Sequence, residues 1–320
     1  MSCFKGFPTD EQNEMLLALI KLKNCSLCPH TCNADRTIFK NGFCKSGSGF
    51  MVSSIVAHYG EEPVISGRNG ICNVFFEHCN LQCVFCQNHQ ISCNSTFSKQ
   101  EPPNLNQIIS EIIEYLDSGC HAIGFVSPSH MVEQMKIIIN AVHLSGRNPV
   151  IVYNTNAYDK VDVLKSLEGI VDVYLPDMKY MDSTLAKNYS KVNDYPRIAG
   201  LALQEMHRQK GSTLITDEQG RAISGLIIRH LILPGEIENS KKVLNFIADE
   251  VSEKVNISLM SQYYPCYNAY LHPSINRTLT EAEYNEVIEE FEKLNFKNGW
   301  FQDLGSSSDY RPDFSNKTPF

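Results

Sequence analysis

From residue 70 onward the chain alternates short apolar runs with helix-period segments, and this alternation limits the available folds more than any other feature. Residues 71–76, 122–126, 149–153, 171–175, 226–233 and 257–262 read as strands. Helical patterns separate them, near 105–116, 131–144, 160–168, 183–210 and 237–252. The first is the clearest: Leu105, Ile108, Ile109, Ile112, Ile113 and Leu116 follow i, i+3, i+4 spacing behind Asn104 as N-cap. Strand–helix–strand repeats imply parallel strands joined by crossover helices. Six units fall short of the eight in a closed barrel, so the expected fold class is α/β, an open partial (β/α)6 barrel. "TLITDEQGRAI" is expected to form an inserted hairpin turning at Gln219-Gly220. A last helix at about 281–294 starts at Thr280, with Glu283 completing a capping box.

The expected division is 1–64 for an N-terminal helix and cysteine module, 65–275 for the barrel, and 276–320 for a C-terminal helix and a loosely ordered polar tail. The N-terminal helix, at about 10–22, is expected to present Met15, Leu16, Leu19 and Ile20 on one face.

The chain has twelve cysteines. Its polar start carries no secretory signal, which argues against a disulfide framework and for a cytoplasmic protein. No apolar run approaches the ~18 residues of a membrane span. A net charge of -8 without a basic cluster argues against nucleic-acid binding. Metal is the remaining use for so many thiols, and seven of them are grouped: Cys25, Cys28, Cys32 and Cys44, then Cys79, Cys83 and Cys86.

Cys79-x3-Cys83-x2-Cys86 follows a strand and reads as a loop around a metal centre. Structural zinc asks for four ligands, which here would require Cys72 or Cys93. A cubane iron–sulfur cluster held by three thiolates leaves one iron open to chelate a small molecule. The four N-terminal thiols, spaced x2, x3 and x11, suit a closed site for zinc or for a second iron–sulfur cluster. His30 is a spare candidate ligand there.

"CNLQCVFC" resembles the Cx3CxφC signature of the radical S-adenosylmethionine (SAM) superfamily, with Phe85 as the aromatic. "HYGEEPVISG", "VYNTNAY", "VDVYLPDMKY", "IIRHLILPG" and "SQYYP" resemble the branch related to pyruvate formate-lyase activating enzyme, specifically its longer and poorly characterised homologues. The resemblance runs over about residues 25–303. It implies a [4Fe-4S] cluster on Cys79, Cys83 and Cys86 whose open iron binds SAM. It also implies reductive cleavage to a 5'-deoxyadenosyl radical that abstracts hydrogen. A flavodoxin- or ferredoxin-like electron donor and a protein or peptide substrate go with that activity.

By the same resemblance Lys179 pairs with the SAM carboxylate and Asp177 lies by its ribose. Arg229 is a second candidate for the carboxylate or equally a structural ion-pair member, and Asn88 is a candidate donor to a cluster sulfur. The branch's Gly-Gly-Glu element after the second strand is replaced by "GFVSPSH", which leaves backbone carbonyls near Ser127 for the SAM amino group. Asn154 stands where the branch has an aspartate tied to a monovalent cation. His78, His89, His130, Cys266 and the pair Tyr263-Tyr264, either core packing or a candidate substrate wall, lie nearby in sequence. Two other classes fit parts of the pattern: a non-catalytic iron–sulfur electron carrier and a zinc-stabilised binding module.

Overall fold

Nine strands form one sheet in the computed structural model of the chain, which describes residues 17–18, 20–38, 42–95, 102–308, 311–316 and 318–320. They are β1 (Val52–His58), β2 (Ile71–Phe76), β3 (Ala122–Val126), β4 (Val150–Thr155), β5 (Val173–Pro176), β6 (Ile215–Thr216), β7 (Ala222–Leu231), β8 (Asn256–Met260) and β9 (Asn298–Phe301). The order is β1-β2-β3-β4-β5-β7-β8-β9, with β6 paired only to β7. From β2 to β9 every neighbour on this path is parallel; β1 runs antiparallel to β2. The six expected parallel strands are all present and the sheet does not close, which gives the open partial barrel.

Helices cover the outer face of the sheet, except that the first enters the barrel and the second borders its cavity. They are α1 (Pro63–Ser66), α2 (His89–Ser92), α3 (Leu105–Asp117), α4 (Val132–Leu144), α5 (Val161–Lys165), α6 (Ser183–Ser190), α7 (Tyr195–Lys210), α8 (Ile237–Phe246) and α9 (Glu281–Lys293). Both expected caps form: Asn104 with Gln107 on α3, and Thr280 with Glu283 on α9. The segment 183–210 is two helices, because Lys191 turns left-handed (φ 66°) and Pro196 sits in the first turn of α7. The hairpin forms as expected, with Gly220 at φ 75° and the Asp217 carboxylate accepting from the Gln219 and Arg221 N–H groups.

Three expectations change. Residues 52–58 form β1, so the sheet begins inside the stretch assigned to the cysteine module. Ile20 is exposed, while Ala18 and Leu22 are buried; Met15, Leu16 and Leu19 lie outside the described residues. The tail docks instead of trailing: the Phe320 ring lies 4.3 Å from that of His58, Phe314 packs on Phe75, and the Phe314 N–H donates to Gln90.

Period-two alternation sorts the strand residues. Val74, Phe76, Ile123, Phe125, Ile151, Tyr153, Tyr174 and Ile228 point to the helices in the main core. The other face lines the barrel. At the N-terminal ends of the strands Ile71, Ala122, Val152, Val173 and Ile227 close around Ile65 of α1. Above this apolar plug the inward positions turn polar, with Asn73, Asn154, Arg229 and Ser258.

Candidate active site

A cavity of about 690 Å³ opens above that plug, at the C-terminal ends of the strands, where βα barrels carry their reacting groups. Cys79, Cys83, Cys86, Phe85, Asn88, Ser127, Asp177, Lys179 and Arg229 all line it. Sequence positions spread over 151 residues of chain are brought to one wall because each strand ends at the same level.

The cysteine loop leaves β2 through His78, whose φ of 66° marks the sharp turn out of the strand. Each sulfur has polar neighbours. Cys79 Sγ accepts from the Leu81 N–H (3.4 Å) and from Asn156 Nδ2 (3.5 Å). Cys83 Sγ lies 3.0 Å from Ser190 Oγ, and Cys86 Sγ 3.3 Å from Ser92 Oγ. The backbone of Asn88 and the Ser92 hydroxyl oppose the rise that burial imposes on the Cys86 thiol. Asn156 stands at a strand end, where sequence reading looks for such groups; Ser92 and Ser190 were not signalled by sequence, because serines are too common in loops to stand out without a structure.

Burial pushes all three thiols up, Cys86 to about 12. They are therefore protonated at neutral pH until a metal displaces the protons. Among the described residues no three His, Cys, Asp or Glu side chains close on one point as ligands of a single ion would. A cubane does not ask for this, since each thiolate binds a different iron. Three sulfurs with hydrogen-bonding neighbours, in one loop on a cavity wall, fit such a cluster.

Asp177 and Lys179 follow β5. Lys179 Nζ donates to Asp177 Oδ2 at 2.6 Å. Burial alone would lower the lysine, but Asp177 and Cys83 outweigh it and hold the ammonium above its usual range. The Tyr195 hydroxyl fixes this turn, within hydrogen-bonding distance of the Asp177 carbonyl (2.6 Å) and accepting from the Lys179 N–H (3.1 Å). Beneath it, buried His230 reaches the Met178 carbonyl and Ser240 Oγ, and burial lowers its pKa to about 4.

Of the two roles the sequence left open for Arg229, the structure shows the ion pair. Its guanidinium faces the cavity but is taken by the plug segment: Nε donates to Glu62 Oε1 (2.8 Å), and Nη2 to Glu62 Oε2 (2.6 Å) and to Glu61. It is the counter-ion of two buried carboxylates, not a spare partner for a ligand's carboxylate. Glu61 also accepts from Asn73 Nδ2 at 2.8 Å. Burial would raise Glu61, but Arg229 wins and holds it below the usual carboxylate range. His58 Nδ1 and Asn73 Oδ1 are buried there without a hydrogen-bond partner.

Ser127 adopts a left-handed conformation (φ 49°, ψ 51°) at the end of β3, a strained state for serine that re-aims the backbone at the cavity mouth. His78 and His89 line the cavity, whereas buried His130 donates from Nε2 to the Glu77 carbonyl (2.9 Å) and borders the N-terminal cysteines. The tyrosine pair is not a substrate wall. Tyr263 is 1% exposed with its hydroxyl on the Ile275 carbonyl, and Tyr264 stacks under Arg311. Cys266 donates to the Phe85 carbonyl. Cys72 is buried within β2, and Cys93 Sγ lies 2.9 Å from Ser95 Oγ and 3.3 Å from the Tyr267 hydroxyl.

Over 278 residues the chain is 32% identical to the uncharacterized protein MJ0674 of Methanocaldococcus jannaschii, covering 85% of this chain and 75% of that protein. The chain belongs to the MJ0674 family. No protein-family model matches it. Among solved structures it is similar to a domain of pyruvate-formate lyase-activating enzyme from Bacteroides vulgatus, at 16% identity and a TM-score of 0.36, over 54% of this chain and 93% of that one. It is also similar to Streptococcus suis SuiB in complex with its precursor peptide SuiA (12% identity, TM-score 0.44, 75% of this chain) and with S-adenosylmethionine (13%, 0.43, 73%). The chain spans about half the length of SuiB, covering 50% and 47% of the two chains. At such values the likenesses are loose. Among the described residues no helix is long and apolar enough to cross a membrane.

Proposed function

We propose that this chain is a radical S-adenosylmethionine enzyme, with a [4Fe-4S] cluster on Cys79, Cys83 and Cys86 and SAM held beside it by Lys179 and Asp177. The observation that carries this reading is the shared wall: the three thiols after β2 and the Lys179–Asp177 pair after β5 line one cavity. When bound, the cluster supplies the electron that cleaves the sulfonium to a 5'-deoxyadenosyl radical.

The chain's own groups do the rest. The Lys179 ammonium, kept charged by Asp177, takes the cofactor carboxylate, leaving Asp177 to face the ribose. Phe85, 7% exposed, packs edge-on to Tyr263 and stiffens the cysteine loop. Ser127 offers backbone carbonyls to the amino group in place of the missing Gly-Gly-Glu element. Glu61, Glu62 and Arg229 form the polar floor under the reacting space. The proposed partners are a flavodoxin- or ferredoxin-like donor and a protein or peptide substrate, with a glycine-bearing polypeptide the first class to try. A plain electron carrier would need a fourth thiolate at this cluster; Cys72 is inside a strand and Cys93 is engaged by Ser95 and Tyr267.

Anaerobic reconstitution followed by electron paramagnetic resonance (EPR) tests the reading. The reduced cluster signal should shift when SAM is added, because the cofactor binds the open iron. A signal indifferent to saturating SAM would reject the assignment.

A further inference from the structure

The N-terminal cysteines are built as a second site. Cys25, Cys28, Cys32 and Cys44 line one small void together with Arg36 and His130. Backbone N–H groups are directed at the sulfurs, from Phe43 to Cys32 Sγ (3.3 Å) and from His30 to Cys28. His30 itself is not a ligand; its Nε2 lies 2.8 Å from the Asn80 carbonyl and its ring stacks on Phe43.

Arg36 points to the charge of what belongs there. It is 3% exposed. Its guanidinium donates to the Ser46, Gly47 and His130 carbonyls and to Met131 Sδ, and Nη1 reaches Cys25 Sγ at 3.7 Å. Among the described residues no carboxylate lies within ion-pair distance of it. A buried cation without a counter-ion is expensive. A tetrathiolate metal centre is anionic and supplies the missing charge at Cys25.

The site is also wired to the catalytic loop. The exposed Cys32 Sγ accepts from the Phe43 N–H, and the Phe43 carbonyl accepts from Asn94 Nδ2 at 2.9 Å. Asn94 Oδ1 accepts from the Cys79 N–H at 3.1 Å, and Asn94 Nδ2 also donates to the Cys79 carbonyl at 3.0 Å. One side chain therefore joins the two cysteine groups. Electron tunnelling falls steeply with distance and is carried better by bonded and hydrogen-bonded contacts than through space. The outer edge, at Cys32, meets solvent; the inner edge, at Cys28 and Cys44, is buried. The void among the four thiols is about 10 Å³, so a cluster seats only as the module opens around it. Among the described residues no three thiols already surround one point as the ligands of a single ion would.

We propose that Cys25, Cys28, Cys32 and Cys44 hold a second iron–sulfur cluster that relays electrons to the Cys79 loop through Phe43 and Asn94. The relay rests on the cluster reading of that loop. A low-potential one-electron carrier protein of the flavodoxin or ferredoxin class docks over Cys32 and gives up one electron. The second cluster is reduced and then reoxidised as the loop cluster gains that electron; no bond or proton changes hands.

The test compares wild type, Cys28→Ala/Cys32→Ala and Asn94→Ala after anaerobic reconstitution. Iron, sulfide and zinc are counted, the EPR response to SAM is recorded, and reduction is timed with reduced flavodoxin and with dithionite. Two cubane clusters give about eight irons in wild type and Asn94→Ala and about four in the double variant. The double variant should keep the SAM response and the dithionite rate while losing at least ~tenfold in the flavodoxin-driven rate, and Asn94→Ala should lose at least ~tenfold in its flavodoxin-driven rate relative to its own dithionite rate. Zinc in place of the extra iron, equal iron in wild type and double variant, or an unchanged flavodoxin-driven rate in Asn94→Ala would each overturn the relay. If the double variant loses both clusters, the Asn94→Ala rates decide. A wild-type cluster that ignores SAM would instead sink the reading of the Cys79 loop, leaving the iron count to judge the second site.

Discussion

Arg229 Nε lies 2.8 Å from Glu62 Oε1, across 167 positions of sequence. This contact ties the segment that plugs the barrel to the middle of β7, and it sets the polar floor on which any ligand in the cavity rests. The floor is a charge cluster whose parts depend on one another: Arg229 is buried because Glu61 and Glu62 are there, and Glu61 stays ionised because Arg229 is.

Replacing Arg229 with Met should therefore act first on stability. Two carboxylates would be left buried without a counter-ion, a loss on the order of 3–5 kcal/mol. Urea unfolding of the apo protein reads this directly. Arg229→Lys keeps the charge but not the fork that spans both acids, and should lose less. A fully stable Arg229→Met protein would return the residue to the list of ligand-binding groups.

Lys179→Ala should keep iron on the cysteine loop and bind SAM weakly. A lost charge-assisted hydrogen bond costs about 1.5–3 kcal/mol, or roughly ten- to over a hundred-fold in affinity. Isothermal titration on the reconstituted protein measures it. Unchanged affinity would move the carboxylate partner away from the end of β5.

Much of this was legible in sequence, for physical reasons. The six parallel strands announced themselves because strands buried on both faces are continuous apolar runs. β1 did not: "VSSIVAH" carries two serines and abuts the cysteine module. β9 is four residues long and includes Gly299 at φ 147°, so it had too little pattern to detect. The ends of strands supplied Asp177, Lys179 and Ser127 because a barrel brings such ends together. Glu61 and Glu62 were quoted in a motif yet given no role, since nothing local says that a loop before a strand threads the barrel's interior. Arg229 was readable as a cavity residue, but its partners were not, because the ion pair spans most of the chain. The separation of Tyr263 from Tyr264 follows from alternation past the end of β8, which sends one ring into the core and the other to the tail.

The cap of α9 gives a pH-dependent prediction. Glu283 bonds Arg277 through both oxygens and closes the capping box with Thr280. Arg277 first, and then the Thr280 and Gly235 N–H groups, hold its carboxyl down at about 2 against burial. The folded pKa is depressed, so the stabilisation is complete above the unfolded value near 4.5 and is lost as pH falls toward 2. Glu283→Gln should be less stable than wild type at neutral pH by about 1 kcal/mol. The gap should close between those pH values. Thermal melts at pH 7 and pH 3 check it; a constant gap would mean that the carboxylate charge is not what the site uses.

The central claim is that the loop of Cys79, Cys83 and Cys86 works with SAM in the cavity it lines. The most direct measurement is 5'-deoxyadenosine, quantified by chromatography after anaerobic incubation of the reconstituted protein with SAM and dithionite. The account predicts 5'-deoxyadenosine with matching methionine from wild type and none from Cys83→Ser. No product from wild type carrying a full cluster at this loop, or equal product from Cys83→Ser, would contradict it.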